Sequence, residues 1–146
     1  WIDEYFLNVQ PFSNSAKLNI KTRNPIFILN NEFFVDTNLK KFAFDKSFLN
    51  LIFVNGPIED LKEPLNIIKF FEVNNFDNTN IEKITYSHIS GWQIQTNLNV
   101  IMIGNKLSNN KFNSLKDTLN YLYENRKIPS MIDLRYKDGV ALDYGK

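Results

Sequence analysis

The 146-residue chain contains no cysteine, one histidine, five glycines and five prolines. Without cysteine it can form neither a disulfide nor a thiol nucleophile, and Cys-ligated zinc sites are excluded. No apolar run approaches the roughly 18 residues that a membrane-spanning helix needs, and no basic segment followed by an apolar stretch opens the chain. The net charge of +1 and the lack of a basic stripe predict no nucleic-acid partner.

Residues that could carry catalysis are few, and they do not cluster in the sequence. His88 lies in a predicted turn with no carboxylate beside it, and a lone histidine of this kind is more often a surface residue than a general base. Glu59 and Asp60 are adjacent, but acidic residues near a helix start are expected from the helix dipole. The glycines form no phosphate-binding or dinucleotide-binding motif, and no serine lies in a G-x-S-x-G segment. The sequence therefore predicts no catalytic residue, no metal site and no cofactor.

The hydrophobic content of 43% is sufficient for the core of one domain. Helical spacing of apolar residues predicts one helix that begins at residue 60 or 61, with Pro64 in its first turn. A second helix is predicted at residues 111–126, capped by Asn109 or Asn110. Apolar runs predict strands at residues 4–10, 16–22, 26–29, 33–35, 41–44, 51–54, 81–87, 92–96 and 100–103. Short turns join most of these strands, which predicts an α+β fold with a largely antiparallel sheet and both helices on one face.

The sequence also predicts burial or secondary structure at several of these positions. Leu18 and Ile20 alternate with polar residues, which predicts one buried and one solvated face. Trp92 is predicted to anchor the core, and residues 100–103 are apolar at every position, as in a central strand covered on both faces. Residues 51–54 fit either a buried strand or a helix end, and the Asn-Gly-Pro that follows favours the strand. Residues 74–80 are predicted to form a polar loop.

Residues 132–144 predict two closing strands joined by one tight turn. Apolar side chains alternate at Ile132, Leu134, Tyr136, Val140, Leu142 and Tyr144. A two-residue loop would mix charged and apolar groups on one face, whereas a three-residue loop at 137–139 keeps the apolar faces together by pairing Ile132 with Tyr144. That loop predicts a type I turn with a bulge and a positive φ at Gly139. The last strand is predicted to lie at a sheet edge.

Three stretches resemble, in order and spacing, the FtsQ/DivIB family of bacterial division proteins. The D-L-R-Y segment at 133–136, which leads into a short turn and a closing strand, is similar to the C-terminal signature of the family. The G-W-Q-I segment at 91–94 and the V-I-M-I-G segment at 100–104 are similar to two of its strands. The I-K-T-R-N-P segment at 20–25 is similar to the family's entry into its second extracytoplasmic domain, although Thr22 stands where the family usually has an acidic residue.

The resemblance implies a non-enzymatic scaffold of the divisome that acts in septation. Residues 1–24 would be the C-terminal part of a POTRA domain, and residues 25–146 would be a partner-binding β domain. Because the chain begins at Trp1 without Met, we expect it to be a fragment, with a membrane helix and most of the POTRA domain upstream. The full-length protein would be a single-pass inner-membrane protein whose periplasmic part lies at the septum. Its expected partners are FtsB/DivIC-like and FtsL-like division proteins.

The expected mechanism is strand addition to the edge of the last strand. The expected partner-binding residues are Arg135, Tyr136, Asp138, Gly139, Val140, Leu142 and Tyr144. Arg135 would pair with a partner carboxylate, or alternatively with Asp133, and the two tyrosines could face either the partner or the core. Three alternatives remain. The hairpin could merely close the sheet. The chain could be a periplasmic hydrolase or cell-wall enzyme using His88 and scattered acids in a cleft. It could also be a POTRA-type chaperone domain of an outer-membrane assembly factor, with repeated domains upstream.

Overall fold

The computed structural model describes residues 1–47, 50–76 and 79–145, which form eleven strands and two helices. In chain order these are β1 (Ile2–Gln10), β2 (Ser15–Thr22), β3 (Pro25–Leu29), β4 (Phe33–Asp36), β5 (Lys41–Ala43), β6 (Ile52–Asn55), α1 (Lys62–Asn74), β7 (Ile81–Ser87), β8 (Gly91–Thr96), β9 (Val100–Gly104), α2 (Asn109–Glu124), β10 (Met131–Asp133) and β11 (Ala141–Asp143). The predicted loop at 74–80 begins where α1 ends, and its residues 77 and 78 lie outside the described part of the chain.

Nine of the strands form one sheet in the order β11-β10-β9-β8-β7-β6-β3-β4-β5. Five of its neighbouring pairs are antiparallel, as predicted, and the α+β class is confirmed. Three pairs are parallel, namely β3 with β6, β6 with β7, and β9 with β10. Two of the parallel pairs arise because α1 connects β6 to β7 and α2 connects β9 to β10 as crossover helices. The sequence predicted both helices but not these crossovers.

The core lies between the sheet and the two helices. One fully buried row crosses neighbouring strands at Val54, Ile84, Ile94, Ile101 and Ile132, and each such side chain contributes about 1.5–3 kcal/mol by leaving water. The helices contribute Ile67, Ile68, Phe71, Leu115, Leu119 and Leu122 to the same cluster. The rings of Phe70 in α1 and Phe112 in α2 lie 4.9 Å apart, so the helices pack side by side on one face of the sheet. Trp92 is fully buried, as predicted.

α1 begins one residue later than the predicted start at residue 60 or 61, and Pro64 lies in its first turn as predicted. The helix begins at Lys62, whose backbone N–H donates to the Asp60 carboxylate over 2.9 Å. Pro64 is the third helical residue and is buried, so its missing N–H falls in the first turn, where no intrahelical partner exists.

The predicted ends of α2 were wrong. Ser108, not Asn109 or Asn110, is the N-cap, and its hydroxyl accepts the backbone N–H of Lys111 over 3.2 Å. The two asparagines are instead the first helical residues. The helix ends at Glu124 rather than Arg126, because Arg126 adopts a left-handed φ of 53° that a helix cannot continue through.

The β1–β2 hairpin forms a separate two-stranded sheet, as its sequence pattern predicted. The prediction that one face of this hairpin is buried was wrong, since Leu18 and Ile20 are 55% and 50% exposed and no described element covers them. The hairpin is joined to the large sheet through Trp1, whose ring lies 5.2 Å from that of Phe34 and 5.4 Å from that of Phe42.

Candidate functional site

The closing hairpin differs from the predicted one in register and in turn. Ile132 pairs with Leu142, so the pairing is shifted by two residues from the predicted partner Tyr144. A shift of two keeps the same side chains on each face, which is why the apolar pattern survives. Residues 134–140 form a longer connection in place of the tight loop at 137–139. Gly139 does not adopt a positive φ, so the predicted type I turn with a bulge is wrong.

The cause of this longer connection lies at the end of β10. The backbone N–H of Leu134 donates over 2.8 Å to the carbonyl of Met102 in β9. This hydrogen bond holds Leu134 to β9, on the side of β10 away from β11. The carboxylate of Asp133 accepts the backbone N–H of Arg135 over 3.0 Å, which turns the chain away from strand geometry. Pairing with β11 therefore stops at Asp133, before the tight turn that the sequence predicted could form.

β11 is the last strand of the sheet, and one row of its backbone groups points outward. The carbonyl of Asp143 accepts two hydrogen bonds from Ser130, over 2.7 Å from its N–H and 2.9 Å from its hydroxyl. The backbone groups of Asp143 therefore face β10. Because backbone groups alternate along an antiparallel strand, the N–H and carbonyl of Leu142 face away from the sheet. This edge offers a donor and an acceptor to an added strand.

Asp133 and Arg135 form a bidentate ion pair beside this edge. Arg135 Nε donates to one carboxylate oxygen over 2.9 Å, and Nη2 donates to the other over 2.7 Å. Hydrogen bonds from Arg135 hold the pKa of Asp133 below its usual value despite the burial of that carboxylate. The same hydrogen bonds raise the pKa of Arg135. Of the two pairings considered for Arg135, the one with Asp133 is thus present, and the remaining guanidinium N–H groups lie on a half-exposed side chain.

The other predicted partner-binding residues divide into two groups. Val140 and Leu142 are half-buried and pack against the core, while Tyr144, the residue that follows β11, is 51% exposed. Tyr136 is 60% exposed in the connection, so neither tyrosine is a core residue. Asp138 and Gly139 are exposed in the same connection. The open edge and two exposed aromatic rings thus lie on one short hairpin.

The opposite edge of the sheet, β5, is built differently. The Phe44 N–H bonds to the Glu32 carbonyl and the Asp36 N–H bonds to the Lys40 carbonyl, so by alternation the backbone groups of Lys41 face outward. Lysine on a short edge strand discourages pairing with another chain, since the added strand would have to accommodate its charge. β11 has no lysine or arginine between Ala141 and Asp143, and its one charged side chain is that of Asp143, so the two edges differ in the sign of their charge.

A cavity of about 490 Å³ lies where the two helices end. Its described lining residues are Asn74, Asn75, Phe76, Thr79, Leu98, Asn99, Leu119, Asn120, Leu122, Tyr123, Arg126, Lys127 and Ile128. These include neither a carboxylate nor a histidine, so the acids and His88 that the hydrolase alternative requires are not among them. His88 lies elsewhere, exposed at the β7–β8 turn with its ring 5.6 Å from that of Tyr86.

The described residues also lack other features that commonly indicate a function. They contain no group of three or more histidine or acidic side chains placed to hold a metal ion. None of their helices is both long and apolar enough to cross a membrane. No protein-family model and no curated protein matches the chain.

Proposed function

We propose that the chain is a non-enzymatic interaction domain of an FtsQ/DivIB-like division protein. It binds an extended segment of an FtsB/DivIC-like or FtsL-like partner by strand addition on β11. The observation that carries the proposal is the outward-facing N–H and carbonyl of Leu142 on the last strand of the sheet. Under this proposal the domain is periplasmic at the division septum and is anchored in the inner membrane by an upstream helix.

The D-L-R-Y segment supports the proposal through its physical role. Asp133 and Arg135 close the end of β10 with a bidentate ion pair, and Leu134 is bonded to β9. These bonds hold the connection to β11 and thereby position its edge. A segment of this kind at the base of an edge strand is what a strand-addition site requires, because the edge must be ordered before the partner arrives.

Backbone pairing gives such a site affinity, and the neighbouring side chains give it specificity. Each hydrogen bond to the edge contributes about 0.5–1.5 kcal/mol, which is too little for a stable complex without side-chain burial. Tyr136 and Tyr144 are exposed beside the edge and can supply aromatic contact area.

The test compares two substitutions at Leu142. Leu142→Ala and Leu142→Pro both remove the side chain, but only proline also removes the outward N–H, which is not bonded to β10. We expect Leu142→Pro to bind the soluble extracytoplasmic part of an FtsB-like protein from the same genome about twofold to tenfold more weakly than Leu142→Ala, as the loss of one hydrogen bond predicts. Calorimetric titration measures the affinities, and circular dichroism confirms that both variants are folded. Equal binding by the two folded variants would rule out strand addition at this edge.

A further inference from the structure

α2 presents three different sides to its surroundings. Leu115, Leu119 and Leu122 face the sheet, and Phe112 and Tyr123 lie toward α1, the first through its ring contact with Phe70 and the second in the cavity beside the end of α1. With about 3.6 residues per turn, Thr118 and Tyr121 fall on the side of α2 away from α1.

That side of α2 faces the β11 edge. The helix crosses over β9 and β10, and the sheet order places β11 beyond β10, on the side opposite β6, β7 and α1. Lys111 lies toward the same side, and its ammonium donates a hydrogen bond to the Leu134 carbonyl at the end of β10. Thr118 is half-buried and Tyr121 is 49% exposed. By this topology the two side chains fall on the side of α2 nearest the position that a strand added to β11 would occupy.

The two faces of β11 have different chemistry. Leu142 pairs with the fully buried Ile132 and lies on the helix side. Extending the alternation one residue past the end of β11 places Tyr144 on that side too. Ala141 and Asp143 lie on the other side and are exposed. One carboxylate oxygen of Asp143 accepts the Gly145 N–H over 2.8 Å, and no basic side chain of the described residues lies within ion-pair distance.

We infer that the added strand is itself two-faced. It carries apolar side chains on the face toward α2, where Thr118, Tyr121, Leu142 and Tyr144 provide aliphatic and aromatic surface. The Lys127 ammonium lies over the Tyr121 ring, 5.7 Å from its centroid. On its other face the added strand carries a lysine or arginine directly opposite Asp143. This inference rests on the proposed strand addition and adds the sequence pattern of the partner segment, which alternates apolar and basic residues. Cross-strand neighbours are close enough for both preferences to act.

A second β11 strand does not satisfy the pattern. Two β11 strands paired antiparallel about Leu142 would place Ala141 opposite Asp143, and pairing about Asp143 would place two carboxylates opposite each other. Neither arrangement supplies the cation, and the second is repulsive. The occupant is therefore not β11 of a second copy, and its complementary charge assigns it to a segment of another protein.

The test uses three eight-residue peptides with the intact chain. One alternates valine and lysine, one alternates valine and glutamate, and one has the composition of the first with its valines and lysines in two blocks. We expect the Val–Lys peptide to bind about threefold to fivefold more tightly than the Val–Glu peptide, as is typical of one cross-strand ion pair. The blocked peptide should bind more weakly than either, because it cannot place its apolar residues on one face.

Substitutions test whether Asp143 causes the preference for lysine and whether Tyr121 contributes to apolar binding. Asp143→Asn keeps an acceptor for Gly145 but removes the charge, so it should abolish the preference for lysine over glutamate. Tyr121→Ala should weaken both alternating peptides by at least about fivefold, whereas Tyr123→Ala, on the α1 side of the same helix, should change binding by less than about twofold.

The outcomes distinguish the proposed sequence pattern of the partner from strand addition itself. If Leu142→Pro weakens peptide binding but Asp143→Asn leaves the charge preference intact, strand addition stands and the two-faced pattern is wrong. Failure of the Val–Lys peptide to bind the unaltered chain also overturns the pattern. If peptide binding is unaffected by Leu142→Pro, the edge is not the binding site and both proposals fail.

Discussion

Alanine substitutions at Gly91 and Gly139 test the close approach of β8 to β9 and the form of the closing turn. Gly91 begins β8 with a left-handed φ of 74°, and a Cβ there would lie 2.1 Å from the Gly104 carbonyl carbon. The obstacle is backbone of the neighbouring strand, so no rotamer change can relieve it. The left-handed conformation alone costs an alanine about 1–2 kcal/mol, and displacing β9 adds to that cost.

We expect Gly91→Ala to lower the free energy of unfolding by about 3 kcal/mol or more, since it combines backbone strain with overpacking. At about 2–4 °C per kcal/mol for a chain of this length, the melting temperature should fall by about 6–12 °C. The strain would be concentrated where β8 and β9 meet, next to the fully buried Trp92.

Gly139 provides the matched control. Its φ is not left-handed, and no atom lies within 4 Å of a Cβ placed there. Alanine should therefore stabilise the protein by about 0.4–1 kcal/mol by restricting the unfolded chain. In the tight turn that the sequence predicted, the same change would instead cost about 1–2 kcal/mol, because Gly139 would have a positive φ.

Urea denaturation followed by circular dichroism, with thermal melts on the same samples, measures both changes. A loss of more than about 1 kcal/mol in Gly139→Ala would show that the tight turn exists after all, because only a left-handed φ produces a cost of that size. A change below about 1 kcal/mol in Gly91→Ala would refute the close approach of β8 and β9.

Two further predictions concern α2 and the ion pair. Ser108→Ala should lower the free energy of unfolding by about 0.5–2 kcal/mol through loss of the N-cap, whereas Asn110→Ala, inside the helix, should change it little; urea denaturation of the two variants decides which residue caps α2. Hydrogen bonds from Arg135 lower the pKa of Asp133, so this carboxylate stabilises the fold above its unfolded pKa of about 3.9 and the stabilisation is lost as pH falls through the lower folded pKa. Asp133→Asn should therefore be less stable than the parent at pH 7, with a difference that shrinks below about pH 4; a difference independent of pH would contradict the ion pair.

Local patterns along the chain predicted most of the elements. Apolar alternation and short turns were enough for the β3–β4 hairpin and the β7–β8–β9 meander, because their pairings join neighbouring segments. Helical spacing and Pro64 were enough for α1. The predicted N-cap of α2 was wrong because three consecutive polar residues are suited to capping, and the sequence offers no means of choosing among them. These residues are Ser108, Asn109 and Asn110.

The candidate site was predicted in part. The position of β11 at a sheet edge was confirmed, as was the alternative that Arg135 pairs with Asp133. Tyr136 and Tyr144 could not be placed, because alternation assigns a side chain to a face but does not say whether another element covers that face. Thr118, Tyr121 and Asp143 were not predicted as site residues, since nothing in the sequence places α2 beside the last strand.

The sequence by itself determined the fold class, the two helices and the strand periodicity, because each depends on residues within a few positions of one another. Only the tertiary structure decided the parallel pairings of β3 with β6 and β9 with β10, which join segments separated by a hairpin or a helix. It also decided the closing turn, where the Leu134 N–H is held by Met102 of a neighbouring strand and is withdrawn from the tight loop. A local pattern can specify a conformation, but a hydrogen bond to a distant strand can override it at little cost in free energy when both alternatives satisfy the backbone.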